Sequence, residues 1–497
     1  MSGAAQNDPA SVCDRDAPSR RAPGPAALLI TWAVLLLTQL GLLYLSQPVG
    51  LADNGDGIRT LCSISYSVYP PGAGPFIFGR WVLPEAQRVS PPTCDMDLPV
   101  SWQYEVFDVA QVTTTSASEG PLKLGAVTVF NAALTAGALT AIVALLRRGR
   151  RRSLISVVLL SIFVFDIAFL AYARSWYTEP AGFVSMLVGT ASVVWLAQAG
   201  RREIPWGGVA LASIAIVGLT LAKAQGVAMA LALVVLVVVR LWPHRRVLLS
   251  VSGMVAVVVV YLGTAWFVLS SQPEWMDNAN RYHSVFRGVT VYSDYSTVAL
   301  SDLGMQPGLA KYSGKGWWDP GAGHEDPAFW EDYDKTALSN VVRYYLVHPR
   351  FAARAIGAGV SASFEMRPDY LGNFDVGSGE PARATTCRLC LFSAGAHRLQ
   401  AISGLIVIGL HADALIAAIR RRSLPVVSAP FSDAPLTVEW VALAWYDLAV
   451  IPASIADGNF EIVKHTVFAS FALGIAVWGL LIRLIGYRAW AGQSSHP

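Results

Sequence analysis

Ten long apolar segments constrain the fold of this 497-residue chain more than any other feature of its sequence. A helix needs about 20 mostly apolar residues to cross a lipid bilayer. The segments that meet or approach this length are 26–46, 123–146, 153–173, 181–199, 206–222, 226–242, 247–270, 399–419, 437–455 and 466–485. The weakest is 437–455, because it contains Glu439 and Asp447. The pattern predicts an all-α polytopic membrane protein with about ten transmembrane helices.

The composition agrees with a chain that lies largely in lipid. Hydrophobic residues make up 54% of the sequence and charged residues only 14%, whereas a soluble domain has roughly 25% charged residues. The net charge of +3 is small and gives no sign of a nucleic-acid partner. We interpret 26–46 as a retained helix, because it is too long for a signal peptide and no A-x-A-like cleavage site follows it.

Arginine clusters in alternate connections predict the orientation, because short cytoplasmic loops are enriched in Lys and Arg. With ten spans, all of these clusters fall on one side: Arg15, Arg20 and Arg21; Arg147, Arg148, Arg150, Arg151 and Arg152; Arg201 and Arg202; Arg240, Arg245 and Arg246; Arg420, Arg421 and Arg422; and Arg488. A nine-span topology would break this pattern at one end. We therefore expect a cell (inner or plasma) membrane protein with both termini in the cytoplasm, including a disordered tail over 1–25 and a second tail over 486–497.

The same topology places five connections outside the cytoplasm. They are loop one (47–122), loop two (around 174–180), loop three (around 222–226), loop four (271–398) and loop five (456–465). Loops one and four are much the largest and are rich in Trp, Tyr, Pro and Gly, so we expect short helices and ordered caps in them. Residues 26–270 then hold the first seven membrane helices with loop one, and residues 399–485 hold the last three.

Four of the five cysteines fall in these outer loops, where disulfides persist. Cys62 and Cys94 share loop one, and we predict that they pair. Cys387 and Cys390 share loop four, and either close a small ring or cross-pair with loop one. Zinc binding by the four is the alternative, but an oxidising compartment favours disulfides. Cys13 is predicted to be cytoplasmic.

Loop one begins with two carboxylates that could do chemistry. Asp53 and Asp56 lie three positions apart, a few residues after the first span. Such a pair can share a metal ion or divide the acid and base roles of a reaction. The alternative is a structural turn, because Asn54-Gly55 and Asp56-Gly57 are both typical turn pairs. Spacing alone favours the turn.

Loops two and three are short and carry charges at the membrane boundary. Glu179 precedes Pro180, which suits the first turn of a helix, where a carboxylate also complements the helix dipole. Lys223 and Gln225 separate two apolar segments. An ammonium at this depth suits a lipid phosphate, although a lysine that only extends to water would look the same.

Loops four and five hold the remaining clusters. Loop five places Asp457, Glu461, Lys464 and His465 within nine residues, either as a polar site or as the start of an amphipathic helix. Loop four is locally cationic and aromatic, which suits an anionic group and a sugar ring or an interfacial belt. Its residues of this kind are Arg281, His283, Arg287, Arg343, Tyr344, His348 and Arg350. The sequence contains no Walker loop, H-E-x-x-H or G-x-S-x-G motif.

Taken in order, these fragments resemble bacterial membrane glycosyltransferases of the GT-C fold. The matching features are the acidic pair after the first span, Glu-Pro in loop two, Lys-x-Gln in loop three, R-Y-Y-L-x-H-P in loop four and D-G-x-x-E-x-x-K-H in loop five. The likeness extends from about residue 28 to 485 and is greatest to an actinobacterial-type group of hexose transferases in glycan biosynthesis. The chain departs from the family in one respect, because Asn54 and Gly55 separate the two acids, which are often adjacent.

The resemblance implies a reaction in which a polyprenyl-phosphate sugar is the donor and an extracytoplasmic glycan or glycolipid is the acceptor. It implies that a carboxylate of loop one is the general base, with Asp53 as first choice and Asp56 as the alternative or a supporting acid. Some family members use a divalent cation such as Mg²⁺ or Mn²⁺, and many do not.

The resemblance also implies roles for residues of the other loops. Lys223, with Gln225, would bind the donor phosphate and neutralise the leaving group. Arg281 and Arg343 are further phosphate candidates. The residues implied for the sugar and acceptor site are Glu179, Glu461 and His465.

Two other functions fit the composition. A transporter or flippase for a lipid-linked sugar would need charged or broken helices near the membrane midplane. Asp413, Glu439 and Asp447 lie within the predicted spans, whereas most other polar groups gather at the outer boundary, which favours an enzyme. A membrane scaffold that binds a partner through its outer loops is the third possibility, and it predicts that Asp53→Ala is harmless.

Overall fold

The computed structural model describes residues 24–62, 64–68, 79–89, 99–114, 120–146, 150–198, 204–242, 247–422 and 433–491. Its first α-helices are α1 (Pro25–Tyr44), α2 (Asp56–Cys62), α3 (Gln103–Thr114), α4 (Leu124–Leu146), α5 (Arg150–Val164), α6 (Ile167–Ala173), α7 (Glu179–Gln198), α8 (Trp206–Ala222), α9 (Ala224–Leu241) and α10 (Val247–Ser270). They are followed by α11 (Glu274–His283), α12 (Thr290–Tyr292), α13 (Ser296–Asp302), α14 (Pro327–Glu331), α15 (Leu338–Val347), α16 (Pro349–Ser363), α17 (Leu391–Leu399), α18 (Ser403–Arg422), α19 (Asp433–Ala456), α20 (Ile462–His465) and α21 (Val467–Ala491). A π-helix covers Ser284–Val289, and 3-10 helices cover Pro307–Tyr312, Gly323–Glu325, Tyr333–Thr336 and Gln400–Ile402.

All ten predicted apolar segments form helices. Among the described residues, eight helices are long and apolar enough to cross a membrane, and α5 with α6 makes a ninth if the two count as one bent span. The remaining predicted span, α8, is shorter at 17 residues. The predicted segment 399–419 is part of a longer helical run, Leu391–Arg420. The predicted fold class, an all-α polytopic membrane protein, is confirmed.

The span predicted as continuous over 153–173 is bent by 70° between α5 and α6. Asp166 lies at the bend, and its Oδ1 accepts a hydrogen bond of 3.1 Å from the backbone N–H of Ala168. Its Oδ2 accepts from the N–H groups of Phe392 and Ser393, at 3.0 and 2.9 Å. One carboxylate therefore satisfies the free N–H groups that begin α6 and α17, which makes the break in the helix a stable arrangement.

The bundle is organised around α7. Of the 18-residue apolar stretch in this helix, 83% of the residues are buried, compared with 17% in α1 and α10, which lie at the edge of the bundle. Helix α7 packs against α4, α8 and α19, and α19 packs in turn against α9, α16 and α21. Core side chains such as Phe183, Trp445 and Phe471 are almost completely buried. The central helices are thus enclosed by protein, and the edge helices leave their apolar side chains for lipid.

Loop one is more ordered than a plain connection. It contains α2, α3 and a small antiparallel sheet in which β2 (Glu85–Arg88) pairs with both β1 (Tyr66–Ser67) and β3 (Leu122–Lys123). Leu61 and Phe107 of loop one, with Trp176 of loop two, belong to a hydrophobic cluster that is separate from the core of the bundle. The all-α prediction did not anticipate these strands, because they are two to four residues long and too short to show an alternating pattern.

Loop four folds into a helical cap, defined here as residues 274–363. It contains α11 to α16 and has a separate hydrophobic core that includes Tyr282, Phe286, Phe329 and Tyr345. After the cap, the carboxylate of Asp375 receives two hydrogen bonds of 2.6 and 2.7 Å from Arg174 of loop two. The large outer loop is therefore a compact unit, and its return segment is joined to the bundle.

The described cysteines are oxidised. Cys387 and Cys390 are joined by a disulfide, so this pair closes the small ring and does not cross-pair with loop one. Cys62 is also disulfide-bonded. Its predicted partner, Cys94, and the predicted cytoplasmic Cys13 lie outside the described residues.

Charged residues inside the spans are paired. Nε of Arg483 lies 3.0 Å from Oε2 of Glu439, and the same guanidinium contacts Asp413. Nε2 of His411 lies 3.1 Å from Oδ2 of Asp447. Asp413, Glu439 and Asp447 therefore have basic partners, as buried or lipid-facing charges require.

Candidate active site

A cavity of about 590 Å³ opens at one end of the bundle, and all five predicted outer loops contribute to it. We call it the central cavity. Its polar lining residues include Asn54, Asp56, Tyr177, Glu179, Lys223, Gln225, Gln272, Asn280, His283, Asp457, Glu461, Lys464 and His465. These residues follow α1, α6, α8, α10 and α19 or precede the next membrane helix, so successive helices run in alternate directions. That alternation is what the ten-span topology requires.

Lys464 lies at the centre of the acidic part of the cavity. Its side chain is only 2% exposed, its Nζ contacts Oδ2 of Asp56, and Oε2 of Glu461 is 3.2 Å away. Burial lowers the pKa of Lys464, but Asp56, Glu461 and Glu179 outweigh this effect and raise the pKa above its ordinary value. The ammonium is therefore a permanent charge that holds two carboxylates from different loops together.

Glu461 has a strained backbone, and both of its carboxylate oxygens have polar partners. Its φ of 44° lies in the left-handed region, which costs a residue other than glycine about 1 kcal/mol or more. Its Oε1 accepts hydrogen bonds from Asn54 Nδ2 at 2.7 Å and from the Tyr370 hydroxyl at 2.8 Å. Burial raises the pKa of Glu461, but Lys464, His465 and the Asn54 hydrogen bond together lower it below its ordinary value. The strain is thus compensated by contacts that hold an ionised carboxylate in the cavity.

The two acids of loop one have different surroundings. Oδ1 of Asp53 accepts hydrogen bonds from the N–H groups of Gly55 and Gly57, at 3.1 and 2.8 Å, and the residue is 4% exposed. Asp53 is not part of the cavity lining, whereas Asp56 is. The structural turn that the spacing favoured is therefore present, with Asp53 as its acceptor, and α2 begins at Asp56.

Lys223 is the single non-helical residue between α8 and α9. Its backbone is extended, with φ −165° and ψ 153°. A Cβ on Gly226 would lie 1.8 Å from the carbonyl oxygen of Leu219, so only glycine permits the two helices to approach this closely. Lys223 Nζ lies 2.9 Å from Oε1 of Glu179, and Glu179 is almost completely buried. The two predicted boundary charges are therefore ion partners that face the cavity.

His465 belongs to a pair with Asp457. Nδ1 of His465 lies 3.2 Å from Oδ2 of Asp457, and the backbone carbonyl of His465 accepts a hydrogen bond from Gln225. Burial lowers the pKa of His465, and Lys223 and Lys464 lower it further, whereas Asp457 and Glu461 act in the opposite sense. The imidazole is thus neutral near pH 7 and is held by a carboxylate.

An aromatic wall completes the cavity on the side of the cap. The rings of His283 and Phe460 stack with centroids 4.0 Å apart, and Trp318 lies 5.5 Å from each of them. Nε2 of His283 accepts a hydrogen bond from the N–H of Trp317 at 2.8 Å. Burial, His465 and Arg287 lower the pKa of His283 to about 3, so this histidine is uncharged. Such a surface suits the apolar face of a sugar ring.

The structure brings together six of the residues predicted for the site, namely Asp56, Glu179, Lys223, Gln225, Glu461 and His465. It leaves the two predicted phosphate candidates of the cap outside. Arg281 pairs with Asp277 at 2.7 Å and lies over the ring of Tyr333, and Arg343 is exposed on α15. The cluster of charges in loop five contained the signal for Lys464 and Asp457, but no role had been assigned to either.

The carboxylates do not form a vacant cation site. Within the described part of the chain, no group of three or more His, Cys, Asp or Glu residues is arranged to hold a metal ion. Asp56 and Glu461 instead share the ammonium of Lys464. These two carboxylates of the cavity are therefore partners of a lysine, and the divalent cation stays a prediction.

Comparison with known sequences assigns a family. The profile described as the YfdI N-terminal transmembrane domain matches residues 123–495, which is most of the chain. The chain belongs to the YfdI N-terminal transmembrane domain family. The matched part of this YfdI-family chain includes loops two to five, whereas Asp53 and Asp56 precede it. No curated protein matches the sequence.

Among solved structures, the YfdI-family chain is similar to the archaeal oligosaccharyltransferase AglB from Archaeoglobus fulgidus. That structure was solved in complex with an inhibitory peptide and a dolichol-phosphate. The TM-score is 0.36 and the sequence identity 12%, and the similarity covers 95% of this chain. It covers 52% of AglB, so the chain spans about half the length of that protein.

Proposed function

We propose that this protein is an inverting glycosyltransferase of the GT-C type that uses a polyprenyl-phosphate sugar. The acceptor would be a hydroxyl of an extracytoplasmic glycan or glycolipid, and the cavity end of the bundle would face away from the cytoplasm. The observation that carries the proposal is the convergence of Lys223, Asp56, Lys464 and Glu461 on one cavity at the ends of membrane helices. In this proposal the donor would enter the cavity from the lipid and the acceptor from the aqueous side.

Lys223 would bind the phosphate of the donor. Its side chain is one quarter exposed and is fixed by the break between α8 and α9. A charge held at the end of two apolar helices lies near headgroup depth, where the phosphate of a lipid-linked donor lies as well. During transfer it would stabilise the negative charge that develops on the leaving phosphate.

Asp56 would act as the general base. Unlike Asp53, it lines the cavity, and one of its oxygens is held by the ammonium of Lys464. The carboxylate would take the proton of the acceptor hydroxyl as the hydroxyl oxygen attacks C1 of the sugar and the C1–O bond to the phosphate breaks. Attack on the face opposite the phosphate inverts the configuration at C1. Asp53, the first choice from the sequence, is the alternative base in this proposal.

The rest of the cavity would hold the sugar and the acceptor. Glu461 and Asn54 supply polar groups at one wall, and His283, Phe460 and Trp318 supply an aromatic surface at another. Polar groups that fix hydroxyls, together with an aromatic face for the ring, are the usual chemistry of a carbohydrate site.

Transfer of radiolabelled sugar by purified protein in nanodiscs tests the proposal. The assay uses a panel of polyprenyl-phosphate hexoses and pentoses, with lipid-linked glycans as acceptors. We expect Asp56→Asn and Lys223→Ala to reduce transfer by at least about 100-fold, and the exposed-residue control Arg343→Ala to remain active. Full activity of both cavity variants would contradict the site, and inactivity of Asp53→Asn alone would move the base to Asp53.

A transporter or flippase for a lipid-linked sugar is the second candidate. It is favoured by the bend between α5 and α6 and by the Arg483, Glu439 and Asp413 cluster within the spans. The same nanodisc preparation, reconstituted into liposomes, distinguishes the two functions. Movement of a fluorescent polyprenyl-phosphate sugar across the bilayer without any transfer to acceptor would support the flippase.

A further inference from the structure

The pair formed by His465 and Asp457 has no part in the steps proposed so far. Nδ1 of the imidazole faces Oδ2 of Asp457 at 3.2 Å, which places the Nδ1 proton between them. Among the described residues, Nε2 has no hydrogen-bond partner, and His465 lines the central cavity. The ring therefore presents Nε2 to whatever occupies the cavity.

The position of this pair is fixed by its neighbours. Gln225, two residues after Lys223, donates a hydrogen bond of 3.1 Å to the backbone carbonyl of His465. Gly458, next to Asp457, has a φ of 61°, and a Cβ there would lie 2.5 Å from the backbone of Arg287 and Gly288. The pair is thus held between the α8–α9 break and the cap, beside the proposed phosphate position.

Four charged groups of the cavity act on the imidazole. Asp457 and Glu461 favour its protonated form, and Lys223 and Lys464 oppose it. On the cap side it faces His283, which is neutral. An anion bound next to Lys223 would add a negative charge to this balance and thereby favour uptake of a proton at Nε2.

We infer that His465 is the general acid for departure of the lipid phosphate and that Asp457 is its positioning residue. The inference rests on the proposed glycosyl transfer. Nε2–H donates its proton to the phosphate oxygen that leaves C1, while the acceptor oxygen bonds to C1 and its proton passes to Asp56. The electron pair of the broken C1–O bond stays on the phosphate. Asp56 then releases its proton to water, and His465 takes one up with the next donor.

The experiment uses a probe that contains no sugar. A farnesyl methyl phosphate diester carries one negative charge that does not titrate near neutral pH, as the donor does. Its binding to the protein in nanodiscs is measured by calorimetry at pH 7.5 in two buffers with different ionisation enthalpies. We expect net uptake of up to one proton, and an affinity that rises by at most about tenfold for each unit of decreasing pH.

Substitutions identify the proton acceptor. His465→Gln is expected to bind the diester without proton uptake and with an affinity independent of pH, and Asp457→Asn is expected to reduce the uptake. The matched control is His411→Gln, which disrupts another histidine–aspartate pair, one whose two residues do not line the central cavity. If His465→Gln does not fold, Asp457→Asn, which keeps the imidazole, still provides the test.

Catalysis separates this inference from the proposed function. With a donor that the wild type uses, His465→Gln should lower kcat by about 10² to 10⁴, with a smaller change in KM. Asp457→Asn should shift the alkaline limb of the pH profile to lower pH, because the carboxylate raises the pKa of the imidazole. No transfer by the wild type would contradict the proposed function. Transfer by the wild type with no proton uptake, or with unchanged kcat in His465→Gln, would overturn the general acid.

Discussion

Nζ of Lys223 lies 2.9 Å from Oε1 of Glu179, and these two residues lie at the ends of three neighbouring membrane helices. The carboxylate is almost completely buried, and the ammonium is one quarter exposed to the cavity. Glu179 therefore fixes the direction in which Lys223 extends, and the exposed part of the ammonium remains available to an anion.

This relationship predicts different effects for single and double substitutions. Lys223→Ala leaves a buried carboxylate without its partner, so it should lower the free energy of unfolding by about 1–3 kcal/mol as well as weaken phosphate binding. Adding Glu179→Gln removes the unpaired charge and should restore much of the stability without restoring binding. Thermal unfolding in detergent and binding of farnesyl methyl phosphate measure the two effects. Recovery of binding in the double variant would contradict the role of Lys223.

The Glu461–Lys464 contact predicts loss of stability in acid. The pKa of Glu461 is lowered below its ordinary value of 4.5 in the folded protein. Its contribution to stability is therefore complete above about pH 4.5 and is lost as the pH falls through the folded-state pKa. The raised pKa of Lys464 adds no dependence in this range, because the lysine is protonated in both states.

The measurement is the unfolding temperature of wild type and Glu461→Gln between pH 3.5 and 7. The wild type should lose stability more steeply below about pH 4.5 than the variant, because the variant lacks the titrating carboxylate. Parallel curves would show that this ion pair contributes nothing to folding.

We expect a single methyl group at position 458 to disrupt the site. Its φ is 61°, and a Cβ would lie 2.5 to 2.6 Å from the backbone of Arg287 and Gly288. Gly458→Ala should therefore cost at least about 2 kcal/mol and displace Asp457. Gly377→Ala is the matched control, since Gly377 has a φ of 82° but nothing within 4 Å of the added Cβ.

The control should cost only about 1 kcal/mol, from backbone strain alone. Thermal unfolding and the transfer assay check both variants. Equal losses of stability and activity in Gly458→Ala and Gly377→Ala would mean that the contact of Gly458 with the cap does not matter.

We expect Trp318 to contribute to carbohydrate binding. It lies in the aromatic wall with His283 and Phe460, and about half of its surface is exposed. Trp318→Ala should raise KM for one of the two sugar substrates roughly 3- to 10-fold and leave the folded state intact. Trp330→Ala is the control, because Trp330 is similarly exposed but does not line the cavity. Steady-state transfer kinetics compare them, and an unchanged KM for both substrates would argue against stacking.

Several features of the site were visible in the sequence because they depend on local pattern. Lys223 and Gln225 interrupt two apolar helices, and the acids and bases of loop five lie within nine residues, so both stood out without a structure. The predictions for Arg281 and Arg343 rested on loop composition, which does not specify the direction of a side chain. In the structure Arg281 is paired with Asp277 on its own helix, and Arg343 is exposed and does not line the cavity.

The sequence by itself determined the membrane helices and their alternation, because the cost of exposing polar groups to lipid acts on each segment independently. It could not decide between Asp53 and Asp56, since both lie in one glycine-rich turn. Only the tertiary structure distinguishes them. Asp53 accepts hydrogen bonds from the N–H groups of its own turn, whereas Asp56 forms an ion pair with Lys464, which lies more than 400 residues later in the chain. Contacts at such separation depend on how helices pack, and no local pattern contains that information.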